Sequence, residues 1–129
     1  MLYDIYSMIL IASIIFVLLD IVFLYTNART FEQQITQVQN IPVKLRYAPA
    51  IVCYIFLILG LYYFILREHK TPNEAFILGM VIYGVYETTT YTTLQKWRLE
   101  TVVKDTLWGG ILFYLTTFLT YKIQENTRT

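Results

Sequence analysis

The stretch IYSMILIASIIFVLLDIVFLY, residues Ile5–Tyr25, decides the fold. A helix rising 1.5 Å per residue over such a run crosses the roughly 30 Å hydrocarbon layer of a bilayer. One charged side chain interrupts it, Asp20. A carboxylate at that depth costs roughly 2.5–3.5 kcal/mol on insertion scales, so intramembrane acids face a bundle interior and often mark a site. Two further acids, Glu87 and Asp105, fall in or at the edge of later apolar stretches.

The whole chain shares this character. Of 129 residues 57% are hydrophobic and 15% charged, and mean hydropathy is +0.51. A soluble domain carries about 25% charged residues. The composition therefore predicts an integral, multi-pass membrane protein with one domain spanning residues 1–129. The N-terminus lacks a basic leader, and the first run is too long for a signal core, so it is expected to remain as a span. Net charge is +1 and no basic stripe occurs, which excludes the electrostatic footprint of a nucleic-acid binder. The single cysteine, Cys53, excludes an intrachain disulfide and reads as a small apolar filler.

Four spans can be drawn, at about 5–26, 47–66, 72–94 and 102–123. Pro49 sits in the opening turn of the second, where it costs no helical hydrogen bond. Thr71-Pro72-Asn73-Glu74 reads as an N-cap, a proline at N1 and a capping-box glutamate at N3. The joints Arg67–Lys70 and Gln95–Glu100 are short, so successive helices are expected to be antiparallel neighbours. The predicted fold is an all-α, up-down-up-down transmembrane bundle with both termini on one side. Tyr3, Tyr6, Tyr25, Tyr47, Tyr62, Tyr63, Trp97, Trp108 and Tyr121 cluster near the span ends, as an interfacial aromatic belt does.

Within the longer first connection, Phe31, Ile35 and Val38 recur at helical spacing among Glu32, Gln33, Gln34, Gln37 and Gln39. That pattern predicts a short amphipathic helix over Thr30–Ile41, stopped by Pro42. It reads as lying in the headgroup plane, with a docking surface as the alternative. Arg67, Lys70, Lys122 and Arg128 fall on the side of the termini. Arg29, Lys44, Arg46, Lys96 and Arg98 fall on the other, joined by Lys104. The second set is larger by one or two charges, which favours the first and third connections facing the cytoplasm without deciding the orientation.

Depth links the acids. Measured from the face bearing those two connections, Asp20 lies roughly 9 Å deep, Glu87 and Tyr54 about 10 Å, and Asp105 about 4–5 Å. Asp20 can be a structural polar residue or a direct participant. Tyr83, Glu87, Thr90, Tyr91 and Leu94 share one face of the third span. So much Tyr and Thr argues that this span is the best-enclosed helix. Asp105 reads as a first-turn acid favoured by the helix dipole, or as part of the centre. The candidate polar centre is thus Asp20, Tyr54, Tyr83, Glu87, Thr90 and Asp105. Ala75 and Gly79, with Gly109-Gly110, offer surfaces for close helix approach. His69 reads as a solvated loop residue. No HExxH, phosphate loop, GxSxG or Cys/His cluster occurs, and three carboxylates are too few oxygens for a magnesium or calcium site. No cofactor or metal is expected.

Leu19-Asp20, Ala48-Pro49 through Tyr54, Gly60, Gly79, Tyr83, Tyr86-Glu87-Thr88-Thr89, Trp97, Asp105 and Trp108-Gly109 together resemble a membrane-protein family called domain of unknown function 2177. The resemblance covers about Leu18 to Tyr121. Three positions depart from it: the usual Tyr-Asp is Tyr86-Glu87, the Asn expected near Thr90 is Thr, and the proline after Trp97 is Arg98. The resemblance implies four spans and the same acids, and no activity. Similar chains occur in bacteria and in large DNA viruses, and the Tyr, Ile, Thr and Lys usage suits an AT-rich genome.

Two functions remain open on these grounds. One is proton or ion handling, with Asp20 and Glu87 as the protonatable pair. The other is a structural or assembly role, as a virion-membrane component or an accessory subunit, with the acids locking the bundle. A lipid-modifying enzyme is a third. The expected partners are the lipid bilayer of a cell or virion, and further copies or a larger membrane assembly.

Overall fold

The computed structural model describes residues 2–40 and 46–128, with side chains over 4–40 and 46–126. The helix stop assigned to Pro42, the end of the amphipathic segment at Ile41, and Lys44 lie outside the described residues. Among the described residues the structure is all helical: α1 (Leu2–Thr26), α2 (Ala28–Gln39), α3 (Tyr47–Leu61) running into a π-helical turn (Tyr62–Leu66), α4 (Pro72–Thr93) and α5 (Leu99–Arg128). Two stretches, Asp4–Thr26 and Tyr47–Leu66, are long and apolar enough to cross a membrane.

Local chemistry sets the ends. Thr71 caps α4 by accepting from the Glu74 N–H (3.2 Å), while Glu74 Oε2 accepts from the Thr71 N–H (2.9 Å), and Pro72 begins the helix. The reciprocal box satisfies two donors that the first turn would leave unpaired. At the end of the π turn, the Arg67 N–H reaches back to the Tyr62 carbonyl (2.8 Å). His69 then adopts a left-handed conformation (φ 52°). Its N–H bonds the Leu66 carbonyl and that of Lys70 the Ile65 carbonyl, which closes the helix without a glycine. His69 is exposed in this turn, as expected of a solvated connection residue. Its ring stacks on Tyr121 (5.4 Å), whose hydroxyl donates to the Lys70 carbonyl (2.7 Å).

Helix α5 is longer at both ends than the span drawn from sequence, because its polar residues continue the helix on either side of the apolar run. It is also the best-enclosed helix, which corrects the expectation for α4. Thr101, Val102, Gly109, Gly110, Leu112, Phe113, Thr116, Thr117, Thr120 and Gln124 are all buried along it. In α4, Ala75, Gly79 and Glu87 are buried. The threonines of α4 do not need enclosure. Thr88, Thr90, Thr92 and Thr93 each donate to a carbonyl one turn back, between 2.6 and 3.1 Å, and so satisfy their hydroxyls within their own helix.

Packing is antiparallel between neighbours. Helix α5 lies between α1 and α4: Gln124 reaches the Asp4 carbonyl near one end of α1 (3.4 Å), and Trp108 reaches Asp20 near the other. The core joins Met8, Ala12 and Phe16 of α1 to Leu61, Ile65 and Leu66, to Ala75 of α4 and to Leu112 and Phe113 of α5. Phe16 is its hinge point, edge-on to both Phe113 (5.5 Å) and Tyr54 (6.2 Å). Where α4 meets α5 the backbones touch. A Cβ on Gly79 would fall on the backbone of Gly109 and within 2.8 Å of Phe113, while the Tyr83 ring covers Gly109.

Replacing Gly79 by leucine forces two backbones apart and should lower stability by about 2–3 kcal/mol, the upper part of the overpacking range. A Cβ on Gly60 meets nothing within 4 Å, so Gly60→Ala should be neutral or stabilise slightly. Thermal unfolding of the two variants in detergent checks this, and equal melting temperatures would refute the close approach.

Candidate functional site

Asp20 and Glu87 are buried and Asp105 half-buried, and the three sit in two adjoining clusters. Asp20, 7% exposed, follows Met8, Ala12 and Phe16 along the inward row of α1. Its Oδ2 accepts from the Tyr54 hydroxyl at 2.5 Å, and its Oδ1 from the Trp108 indole N–H at 3.0 Å. Both donors are aimed by aromatic packing: Tyr54 stands against Phe16, and Trp108 stacks on Phe23 at 4.5 Å with nearly parallel rings. Three helices thus converge on one carboxyl.

Glu87, 2% exposed, forms the second cluster. Its Oε1 accepts from the Trp97 indole N–H at 2.9 Å, and its carboxyl lies in side-chain hydrogen-bonding range of Asp105. Asp105 and Trp108 are three residues apart on α5, so they share a face and connect the clusters. Because α5 begins at Leu99, Asp105 stands in its second turn, roughly 9 Å in, and the first-turn acid is Glu100. The dipole reading of Asp105 therefore fails, and it belongs with Glu87. The Tyr83 ring packs on Phe113 (6.4 Å) and covers Gly109. Thr90 does not join the centre. Its hydroxyl is bonded to the Tyr86 carbonyl of its own helix (2.8 Å).

The two tryptophans are the residues that sequence reasoning assigned wrongly. Position near span ends suggested a headgroup belt, yet Trp97 is buried and Trp108 half-buried, each with its N–H on a carboxyl. Acids lacking a cation among the described residues were the available signal, since indole N–H groups are donors only. Two ion pairs among the described residues, Arg67–Glu68 and Lys70–Glu68, lie at the exposed turn before α4. Lys104 points outward.

Gln34 also escaped the periodic reading. It is 1% exposed, and Nε2 donates to the Lys96 carbonyl (2.9 Å). Its Oε1 accepts from the Arg98 N–H (3.2 Å) and the Thr101 hydroxyl (2.8 Å). Gln34 lies three residues after Phe31 and four before Val38, on the apolar face of α2, which turns inward onto the connection between α4 and α5. Beside it an open cleft of about 510 Å³ runs between α2 and α4, walled by Leu24, Ala28, Phe31, Ile35 and Tyr86. Glu87, Asp105 and Trp97 line it, with Glu32. Among the described residues no three His, Cys, Asp or Glu side chains gather as metal ligands.

The family model described as a predicted membrane protein (DUF2177) matches residues 5–122. The chain belongs to this family. No curated protein and no solved structure matches it. The matched region contains both acid clusters and both tryptophans, so the site lies wholly within the family's common segment.

Removing the phenol at Tyr54→Phe leaves one Asp20 oxygen without its donor and should cost about 1–3 kcal/mol of stability. In an Asp20→Leu background the same change should cost much less. A double-mutant cycle by denaturant unfolding measures the coupling, and additive effects would show that the bond contributes nothing.

Proposed function

We propose that this chain is a four-span, multi-pass protein of a cell or virion membrane whose paired carboxyls Glu87 and Asp105 take up and release protons. The observation that carries the reading is that Glu87 and Asp105 line one cleft together, with an indole donor on Glu87 and no ion pair to either among the described residues. Neighbouring carboxyls repel when both are ionised, and a proton shared between them relieves that repulsion, so the two act as a unit. The cleft beside the pair supports access from outside the bundle.

The spanning geometry supports this setting. Helices α4 and α5 have 22 and 30 residues, about 33 and 45 Å at 1.5 Å per residue. Ile77, Val81 and Val85 of α4 and Val103, Leu107 and Ile111 of α5 face outward, as lipid-facing positions require. Helix α2, with Glu32, Gln33 and Gln37 exposed, lies at the membrane surface and closes the bundle there. The protonatable pair differs from the one that depth alone suggests. Asp20 already accepts at both oxygens and acts as a fixed acceptor beside the exchanging pair.

In liposomes loaded with a pH-sensitive dye, the protein should carry protons down an imposed gradient. Glu87→Gln and Asp105→Asn should each lower that flux by about a hundredfold, at the low end of what a positioned acid or base contributes. Flux equal to that of empty liposomes, or unchanged in both variants, refutes the reading. An assembly role is the second reading, favoured by the saturation of Asp20 by two aromatic donors, as in a packing lock. It is the one to adopt if flux is absent and the chain is recovered in purified particles or one stable complex.

A further inference from the structure

We propose that α2 gates the cleft over Glu87 and Asp105, and that Gln34 is the positioning residue that latches it. The gate deepens the proton reading and rests on it for its purpose, but its geometry stands separately. A single non-helical residue, Asn27 (φ −113°, ψ 11°), separates α1 from α2. Two kinds of contact then hold α2 down. One is apolar and near the hinge, where Phe31 packs on Phe23 (5.9 Å). The other is polar and farther out, where Gln34 makes three hydrogen bonds to residues 96–101.

That polar contact falls on the connection carrying Trp97. Gln34 bonds the Lys96 carbonyl on one side of Trp97 and the Arg98 N–H on the other, so it brackets the residue whose indole holds Glu87. Gln34 therefore acts on Glu87 at second hand. It fixes the backbone that fixes the indole, and it keeps Phe31 and Ile35 against the mouth of the cleft. A buried amide has no reason to be tolerated on an apolar helix face unless its donor and acceptor are both met. Here both are met by the same short connection. Arg98 adds an outer contact to Gln37 (3.2 Å), which is exposed and replaceable by water.

The test uses the full chain in nanodiscs and a hydrophobic carbodiimide, which adds to protonated carboxyls in apolar surroundings. Modification at Glu87 and at Asp20 is followed by peptide mass spectrometry. Gln34→Met keeps the length and removes all three bonds. It should raise the initial rate at Glu87 about thirtyfold or more, the size expected from losing two or three net hydrogen bonds. Thr101→Val removes one bond and should give a smaller rise. Gln34→Glu keeps both acceptances, from Arg98 and Thr101, and should restore most of the protection. Asp20 should be modified at the same rate throughout. No rise at Glu87 in Gln34→Met, or an equal rise at Asp20, overturns the gate, the second because it reports general loosening. Should Gln34→Met fail to fold, the same two criteria apply to Thr101→Val. Faster modification without proton flux in wild-type liposomes would reject the proton reading and leave the gate. Flux with unchanged modification would do the reverse.

Discussion

A carboxyl taken out of water must be given donors, a counter-charge or a proton, because leaving it bare costs more than most domains have in stability. Each way of meeting that demand ties different parts of the chain together. At Asp20 the demand is met by donors from two other helices, Tyr54 of α3 and Trp108 of α5, so the carboxyl is where α1, α3 and α5 are joined. At Glu87 it is met by Trp97 of the following connection and by Asp105 of α5. Helix α5 takes part in both clusters, through Asp105 and Trp108 on one face. That shared duty explains why the least uniformly apolar of the long helices is the most enclosed. Thr101, Trp108 and Gln124 bond groups on other helices, whereas the Thr116 and Thr117 hydroxyls are buried without a partner among the described residues and Thr120 bonds its own helix.

The backbone arrangement serves the same end. An indole or phenol reaches a carboxyl only if the helices approach closely and in fixed register. Gly79 against Gly109 supplies the approach, and the Tyr83 ring over Gly109 supplies the register. Phe16 does the equivalent between α1, α3 and α5, standing edge-on to Tyr54 and Phe113 at once. Packing here positions donors, and the donors in turn make the buried acids tolerable.

Much of this was legible in the chain, wherever the signal was local. Thr71 through Glu74 announced the start of α4 because a capping box is complete within four residues. The small residues near Gly79 and Gly109 were visible as spacing, and the acids as isolated charges in apolar runs. What stayed hidden depended on direction. Trp97 and Trp108 occupy positions that an interfacial belt also uses, and no periodicity says whether an indole points outward or at a carboxyl. Gln34 shares the row of Phe31, Ile35 and Val38, which sets it apart from Gln33 and Gln37, but only tertiary contact with residues 96–101 shows what it bonds. Thr90 failed in the opposite sense. It shares a face with Glu87, but a threonine can satisfy itself on the preceding turn, so a polar face need not be a polar site.

The two clusters are chemically unlike, and the difference sets their roles. Asp20 faces an O–H and an N–H, so both oxygens are engaged as acceptors and its surroundings favour one fixed state. Glu87 faces one N–H and lines its cleft together with a second carboxyl, Asp105. The Asp20 cluster is sealed by stacked aromatics, whereas the Glu87 cluster opens on a cleft. Asp105, which lines the cleft beside Glu87, has no counterpart at Asp20, and that second carboxyl is the difference between the two clusters.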